Sequence, residues 1–422
     1  MFTDVEQFEL FLDNRELGGI KPGLSRMKRL LKACGSPEKR MRAIHVAGTN
    51  GKGSTVTFIK EMLQESGYQV GTFMSPSFTN RQVMMRVNDK PVLDADYLQY
   101  ANNIIDEIHQ LDHEKNAPSP FEIIVAISYQ YLAESADVSI IETGMGGTED
   151  ATNCVEPFLS VITTIDYDHT AFLGNDLTSI ASHKAGIIKK RTSVIVGNVG
   201  EEALKTITQV AHDRQSSMHI INKDFQVESD EMMHRYQDES RDIQFELGMK
   251  GSFQLHNASL AIRACLIAKQ LGVINIQKEA IKAGLAKARL AGRFDMVSRK
   301  PLVILDGAHN AASIQTFIET AKHLYPNATK SVIMAAFSDK PIKKMVQQLD
   351  TFADSITFTT FDHPRAASEE VLYNLSEHVN KEKHNDWKAL IDDVMRHQDM
   401  QNVTFVVGSL DFIGKVQINL DI

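Results

Sequence analysis

The sequence predicts an α/β protein built around parallel sheets, with two successive strand–helix rhythms in one chain. Three observations carry that prediction. The run Ile44-His45-Val46-Ala47 is apolar and β-branched, and it leads into Gly48-Thr49-Asn50-Gly51-Lys52-Gly53-Ser54-Thr55 and then an amphipathic pattern, the order strand, tight loop, helix. Short buried-type strands keep alternating with helical patterns afterwards, as parallel sheets require. After Pro301 a second alternation begins with its own first strand, Leu302–Leu305.

In chain order, residues 4–33 read as helical, with Phe8, Phe11 and Leu12 on one apolar face and Leu24, Met27, Leu30 and Leu31 on another. A loop, Gly18-Gly19-Ile20-Lys21-Pro22-Gly23, separates them. Val56, Ile59, Met62 and Leu63 give helical spacing that Gly67 ends, and Val70–Met74 is a strand closing on Ser75-Pro76-Ser77. One long helix is expected over Asp94–Leu111 and another over Phe121–Leu132. The strand Val138–Ile141 ends in Glu142-Thr143-Gly144-Met145-Gly146-Gly147, and Leu159–Ile165 ends in Asp166-Tyr167-Asp168-His169. A helix over Ser182–Lys190 and a strand at Val194–Val196 follow. Residues 214–250 alternate and are charged, suiting a small antiparallel appendage, and helices are expected at Asn257–Leu271 and Lys278–Ala288. A boundary is placed near Met296–Pro301. Beyond it come helix Ala312–Leu324, strand Ser331–Ala335, helix Pro341–Leu349, strand Ser355–Thr359, helices near 369–380 and 387–398, and strand Val403–Val407.

Composition narrows the function classes. A chain of 422 residues suits two or three domains at about 150 residues each, and 43% hydrophobic residues supply ample core. A net charge of −9 argues against coating a nucleic acid. Three widely spaced cysteines, Cys34, Cys154 and Cys265, support neither a disulfide framework nor a cysteine zinc site. No apolar run reaches the ~20 residues of a membrane span, and the acidic N-terminus is no signal peptide. The expectation is a soluble, cytoplasmic protein without membrane or nucleic-acid partners.

The chemistry-bearing residues gather at strand ends, where open α/β sheets bind ligands. Glycines in the 48–54 loop let N–H groups turn onto an anion, the helix dipole adds positive charge, Lys52 meets outer phosphates, and Ser54 or Thr55 faces a Mg²⁺ ion. The spacing departs from the strict phosphate-loop pattern, since Val46 stands where its first glycine belongs. Glu142 is either a Mg²⁺ ligand or a capping carboxylate, and His169 beside Asp168 suits a metal or phosphate role. Lys184 has no claim from spacing alone. Asp306-Gly307-Ala308-His309-Asn310 suits a ribose contact or a turn with a helix cap, and without G-x-G-x-x-G a dehydrogenase lacks its fingerprint.

Together these stretches, with Asp150-Ala151-Thr152-Asn153, His183-Lys184-Ala185-Gly186-Ile187 and Gly292-Arg293-Phe294, resemble the folylpolyglutamate synthase and dihydrofolate synthase family of the Mur ligase superfamily. The resemblance implies a P-loop-type ATPase domain over 1–296, a smaller Rossmann-like domain over 297–422, and a cleft between them as the active site. It implies ATP-driven phosphorylation of a folate-type carboxylate, then attack by L-glutamate on the acyl phosphate, in a monomer using ATP and Mg²⁺ (one ion or two). Carried over by position, Gly48, Thr49, Asn50, Gly51, Lys52, Gly53 and Ser54 hold phosphates, and Asn257, Arg293, Asp306 and His309 touch the nucleotide. Ser75, Glu142, His169 and a carbamylated Lys184 bind metal, with Lys52, His169 and Lys184 catalytic. Asp150 contacts the pterin, and Phe121 lines its pocket. The chain departs from the family at Gln82–Arg86, at Thr148-Glu149 and at Ala311, on the folate side. Another Mur-type peptide ligase would want an extra N-terminal domain, for which the roughly 40 residues before the loop are too few. A phosphate-loop NTPase or phosphotransferase has no need of the second α/β rhythm.

Overall fold

The computed structural model describes the chain except residues 17–20, 78–79, 231–232, 397–401 and 422. The chain forms two compact units, one of Met1–Gly248 with Leu255–Ala288 and the other of Met249–Gln254 with Arg289–Ile422.

The first unit is built on a sheet of eight strands among the described residues. They are β1 (Ala43–Ala47), β2 (Val70–Phe73), β3 (Met85–Val87), β4 (Lys90–Pro91), β5 (Val138–Glu142), β6 (Leu159–Ile162), β7 (Ser193–Val196) and β8 (Met218–Ile220), in spatial order β4-β3-β2-β5-β1-β6-β7-β8. The β4–β3–β2 pairings are antiparallel and the rest are parallel. β1 is buried along its whole length, as a central strand covered on both faces must be. Helices Lys52–Gln64, Pro120–Ser135, Leu177–Ala185 and Glu201–Asp213 connect the strands. The helix at Pro120 is started by a capping box between Ser119 and Glu122. Glu122 also pairs with Arg26 at 3.0 Å, both side chains nearly buried, which ties the N-terminal helix Ser25–Ala33 to the sheet layer. β9 (Phe225–Asp230), β10 (Met233–Asp238) and β11 (Asp242–Phe245) form a small antiparallel sheet.

In the second unit β12 (Asp295–Arg299), β13 (Leu302–Asp306), β14 (Thr329–Met334), β15 (Ser355–Thr359), β16 (Lys381–His384) and β17 (Asn402–Val407) lie in the order β12-β13-β17-β14-β15-β16. Only the edge strand β12 is antiparallel among these described pairings. Phe317 and Phe405 meet edge-to-face at 5.2 Å in its core.

Several expectations are corrected. The helical stretch from Asp94 is two helices, Asp94–Asn102 and Ile105–His113, broken at Asn103-Ile104. The helix expected to reach Lys190 ends at Ala185, with Gly186 as its C-cap. Met218–Ile220 joins the large sheet through β7 instead of the appendage, because its parallel partner β7 supplies the ladder. The second unit groups Met249–Gln254 with Arg289–Ile422, whereas the sequence places the boundary near Met296–Pro301, and β12 already pairs with β13. The loop expected at Gly18–Gly23 lies partly outside the described residues. Among the described residues no helix is long and apolar enough to cross a membrane.

Candidate active site

The loop after β1 is held from beside by the end of β6. Thr49 N–H donates to Thr164 O (2.9 Å), and Asn50 N–H donates to Thr164 Oγ1 (2.9 Å). Thr163 Oγ1 donates to Asn50 O (2.6 Å), and Thr49 Oγ1 donates to Asp166 O (3.1 Å). Gly51 is the N-cap of the helix Lys52–Gln64 with φ +85, and a Cβ there would overlap the Asn257 side chain. Glycine is therefore required twice over, by conformation and by space. The same contact brings Asn257, from the helix Ser252–Gln270, onto the loop. Lys52, Gly53 and Ser54 form the first turn of that helix, the end whose N–H groups and dipole favour an anion. The Lys52 ammonium folds back over the loop and donates to Gly48 O (3.0 Å) and Thr49 O (3.3 Å).

The other predicted residues lie at the same end of neighbouring parallel strands. β5 and β6 flank β1, and β2 flanks β5. Ser75 follows β2, Glu142 closes β5 opposite Val46, and His169 follows β6. Glu142 is buried. His169 sits at φ +50 ahead of a short helix, with its Nε2 3.7 Å from Asp168 Oδ2. Among the described residues no three His, Cys, Asp or Glu side chains come together as a ready cation cage.

Lys184 is 4% exposed, on the last turn of the helix Leu177–Ala185. Thr148 N–H donates to His183 O (2.8 Å), packing the loop after β5 against that helix end. Burial, followed by the charge of Lys52, pulls the Lys184 ammonium down to about 7 against the attraction of Asp168 and Asp150. Lys52, Lys184, Asp168 and Asp150 thus share one electrostatic neighbourhood.

Asp150 and Phe121 both lie against Gly144. A Cβ on Gly144 would lie 2.5 Å from Phe121 Cζ and 3.2 Å from Asp150 Oδ2, and the Phe121 ring packs on Phe73 at 6.0 Å. The Asp150 carboxylate serves its own loop, accepting from Met145 N–H (2.7 Å) and Thr152 N–H (3.0 Å). Burial pushes its pKa up, and these donors pull it back only in part. Behind the loop, Lys189 Nζ donates to Asn153 O (2.7 Å) and Oδ1 (2.9 Å), while Asn153 Nδ2 donates to Thr148 O and Gly186 O at 3.1 Å each. A groove of 920 Å³, lined in part by Lys28, Lys32, Lys189 and Arg214, opens on that outer side and contains none of the predicted site residues.

In the second unit Arg293, Asp306 and His309 gather at the end of β13. Asp306 accepts from Phe294 N–H and Ala308 N–H, both at 2.8 Å, and His309 Nδ1 lies 2.9 Å from Gly307 O. Burial raises the Asp306 pKa, opposed first by the charge of Arg293. Asn310 and Ser313 form the capping box of the next helix, Ala311–Leu324. Sequence reasoning missed Thr163, Thr164, His45, Asn153 and Lys189. The Thr-Thr pair at a strand end was the signal for the first two, being two hydroxyls beside a loop whose backbone needs partners.

The Mur ligase middle domain family matches residues 46–265, and the Mur ligase glutamate ligase domain family matches residues 292–410. The chain is 38% identical to the dihydrofolate synthase/folylpolyglutamate synthase of Bacillus subtilis (strain 168), over all of both chains. Its fold is similar to that of E. coli FolC in complex with DHPP and ADP, with a TM-score of 0.90 and 26% identity over 99% of this chain and 98% of that one. It is also similar to a bifunctional folylpolyglutamate synthase/dihydrofolate synthase with Mn, AMPPNP and L-glutamate bound, with a TM-score of 0.87 and 25% identity over 100% of this chain and 98% of that one. The chain belongs to the dihydrofolate synthase/folylpolyglutamate synthase family of Mur ligases.

Proposed function

We propose that the chain is an ATP-dependent ligase that joins L-glutamate to a dihydropteroate- or folate-type carboxylate, releasing ADP and phosphate, and that it serves both acceptors. The observation that carries the reading is the convergence of Lys52, Glu142, Asp150 and Lys184 around the ends of β1, β5 and β6. One end of that group suits polyphosphate, and the other lies beside Phe121.

A carboxylate is a poor electrophile, so it must first be activated. The loop amides and Lys52 hold the polyphosphate while a substrate carboxylate oxygen attacks the γ-phosphorus. The bond to ADP breaks and an acyl phosphate forms. The glutamate amine then attacks the acyl carbon, the C–N bond forms, the amine gives up a proton, and phosphate leaves with the C–O electron pair. Lys52 is assigned to the transferred group, where negative charge grows and a fixed cation lowers the barrier most. Asn257, Arg293, Asp306 and His309 are assigned to the nucleotide, and Asp150 and Phe121 to the pteridine side.

The donor set fits a hard divalent cation, taken as Mg²⁺. Glu142 is a buried carboxylate beside the phosphate loop, and a carboxylate oxygen is the donor such an ion prefers alongside phosphate oxygens and water. Ser75, Glu142, His169 and a Lys184 carbamate would hold it. When bound, it neutralises charge on the phosphate oxygens. Lys184 is suited to carbamylation, because an amine titrating near 7 is neutral in about half the molecules at that pH. The neutral amine's lone pair attacks CO₂, the N–C bond forms as one C–O π pair moves onto oxygen, a proton leaves nitrogen, and a neutral amine becomes an anionic carbamate.

A monomeric, cytoplasmic enzyme completes the proposal, with the three free thiols of Cys34, Cys154 and Cys265 in keeping with a reducing compartment. Phosphate release measured with each acceptor tests the activity. It should require ATP, L-glutamate and the pteridine together, and release independent of the last two would overturn the ligase reading.

A further inference from the structure

His45 lies in the middle of β1, fully buried, and the reaction above makes no use of it. Its Nε2 is 2.9 Å from Thr152 Oγ1, and Thr152 Oγ1 in turn donates to Asp150 Oδ1. Thr152 is also pinned through its backbone, where Tyr129 OH donates to Thr152 O at 2.5 Å. Thr152 Oγ1 carries a single proton, and an ionised Asp150 carboxylate, whose two oxygens accept from Met145 N–H and Thr152 N–H, can only accept. That proton therefore points at Asp150, and the lone pair facing His45 requires a donor. The imidazole is thus the Nε2–H tautomer, which leaves its Nδ1 lone pair in the core with no partner among the described residues. A phenylalanine would fill the same space without that desolvation cost. What the histidine adds is one directed N–H.

We propose that His45 is a positioning residue for the pteridine side of the site, setting the Thr152 hydroxyl and through it the orientation of Asp150. With Oδ1 fixed on Thr152, Oδ2 stays on Met145 N–H, and the loop over Gly144 keeps its place against Phe121. Because β1 continues directly into the phosphate loop, one strand carries both the nucleotide loop and the anchor of the acceptor loop. The inference rests on Asp150 being an acceptor contact.

Steady-state kinetics on the full-length enzyme test it, with KM for the pteridine acceptor and KM for ATP measured separately. His45→Phe should raise the acceptor KM about fivefold, the worth of one oriented neutral hydrogen bond, with kcat and the ATP KM changed less than about twofold. His45→Gln, which offers an amide N–H at the position of Nε2, should recover most of the loss. In a Thr152→Val background, adding His45→Phe should change the acceptor KM by less than about twofold, because both substitutions break one chain of bonds. An unchanged acceptor KM in His45→Phe, no recovery in His45→Gln, or independent effects in the double variant would each overturn the inference. Should His45→Phe fail to fold, the near-isosteric Thr152→Val carries the same expectation on its own. Asp150→Asn separates the two levels. If it leaves the acceptor KM unchanged, the assignment of Asp150 fails, and if it raises that KM while His45→Phe does not, only the role of His45 fails.

Discussion

Replacing Lys184 by methionine should stabilise the protein while abolishing its turnover. The Lys184 ammonium falls from the ordinary 10.5 to about 7 in the folded chain, with burial the first cause and the charge of Lys52 the second. Between those two values the unfolded chain binds a proton that the folded chain does not, so stability rises with pH across the window from about 7 to 10.5. At pH 7.5 the penalty amounts to about 4 kcal/mol, and by pH 9.5 it shrinks to about 1.5 kcal/mol. Methionine fills a similar space with no charge. The attraction of Asp168 and Asp150 already enters the value of about 7, so the net gain at pH 7.5 is of the same order, about 4 kcal/mol. Urea unfolding at both pH values, in CO₂-free and metal-free buffer so that Lys184 is the free amine, reads this directly, alongside amide exchange in the helix Leu177–Ala185. The fluorescence of Trp387, the single tryptophan, reports on the second unit as an internal reference. Turnover of Lys184→Met should fall about a hundredfold or more, and in Lys184→Ala added short carboxylic acids should restore part of it. A variant less stable than the parent at pH 7.5, or a difference that does not narrow by pH 9.5, would refute the reasoning.

Other expectations follow from the same geometry. Lys52→Ala should lower ATP-dependent phosphate release by about three orders of magnitude, since the fixed cation at the transferred phosphoryl group is removed. Gly51→Ala should weaken ADP binding at least about tenfold in calorimetry, because φ +85 is strained for alanine and its Cβ would overlap Asn257. Glu122→Gln leaves a buried Arg26 guanidinium without its carboxylate and should lower unfolding stability by about 3 kcal/mol. His45 titrates at about 3 through burial, below its ordinary 6.5, so it opposes folding progressively as pH falls from 6.5 toward 3. At pH 5 that amounts to about 2 kcal/mol, and His45→Phe should lose less stability between pH 7.5 and pH 5 than the parent does.

The parts of the fold that the sequence announced are those with apolar strands ending in glycine or acidic residues. β1, β5 and β13 all have that form, and each carries site residues at its end. What it concealed lacks an apolar period. β16 reads Lys-Glu-Lys-His, an edge strand whose side chains are mostly exposed, so no alternation marks it against a helix. The break at Asn103-Ile104 interrupts an apolar spacing that runs on through both helices, and no glycine or proline marks it. For the site, the phosphate loop and Lys52 were legible because glycine spacing has a direct steric meaning. The environment of Lys184 was not, since a depressed ammonium depends on burial and on Lys52, 132 positions earlier in the chain. His45 was hidden for the same reason: its partner Thr152 is 107 residues away, and nothing local marks a core histidine as a donor.

The central claim is amide formation with glutamate, and mass spectrometry of the products tests it most directly. Dihydropteroate and tetrahydrofolate, each incubated with ATP, Mg²⁺ and L-glutamate, should both gain the mass of one glutamyl residue per ADP released. ADP formation with no glutamyl adduct on either acceptor would contradict the account.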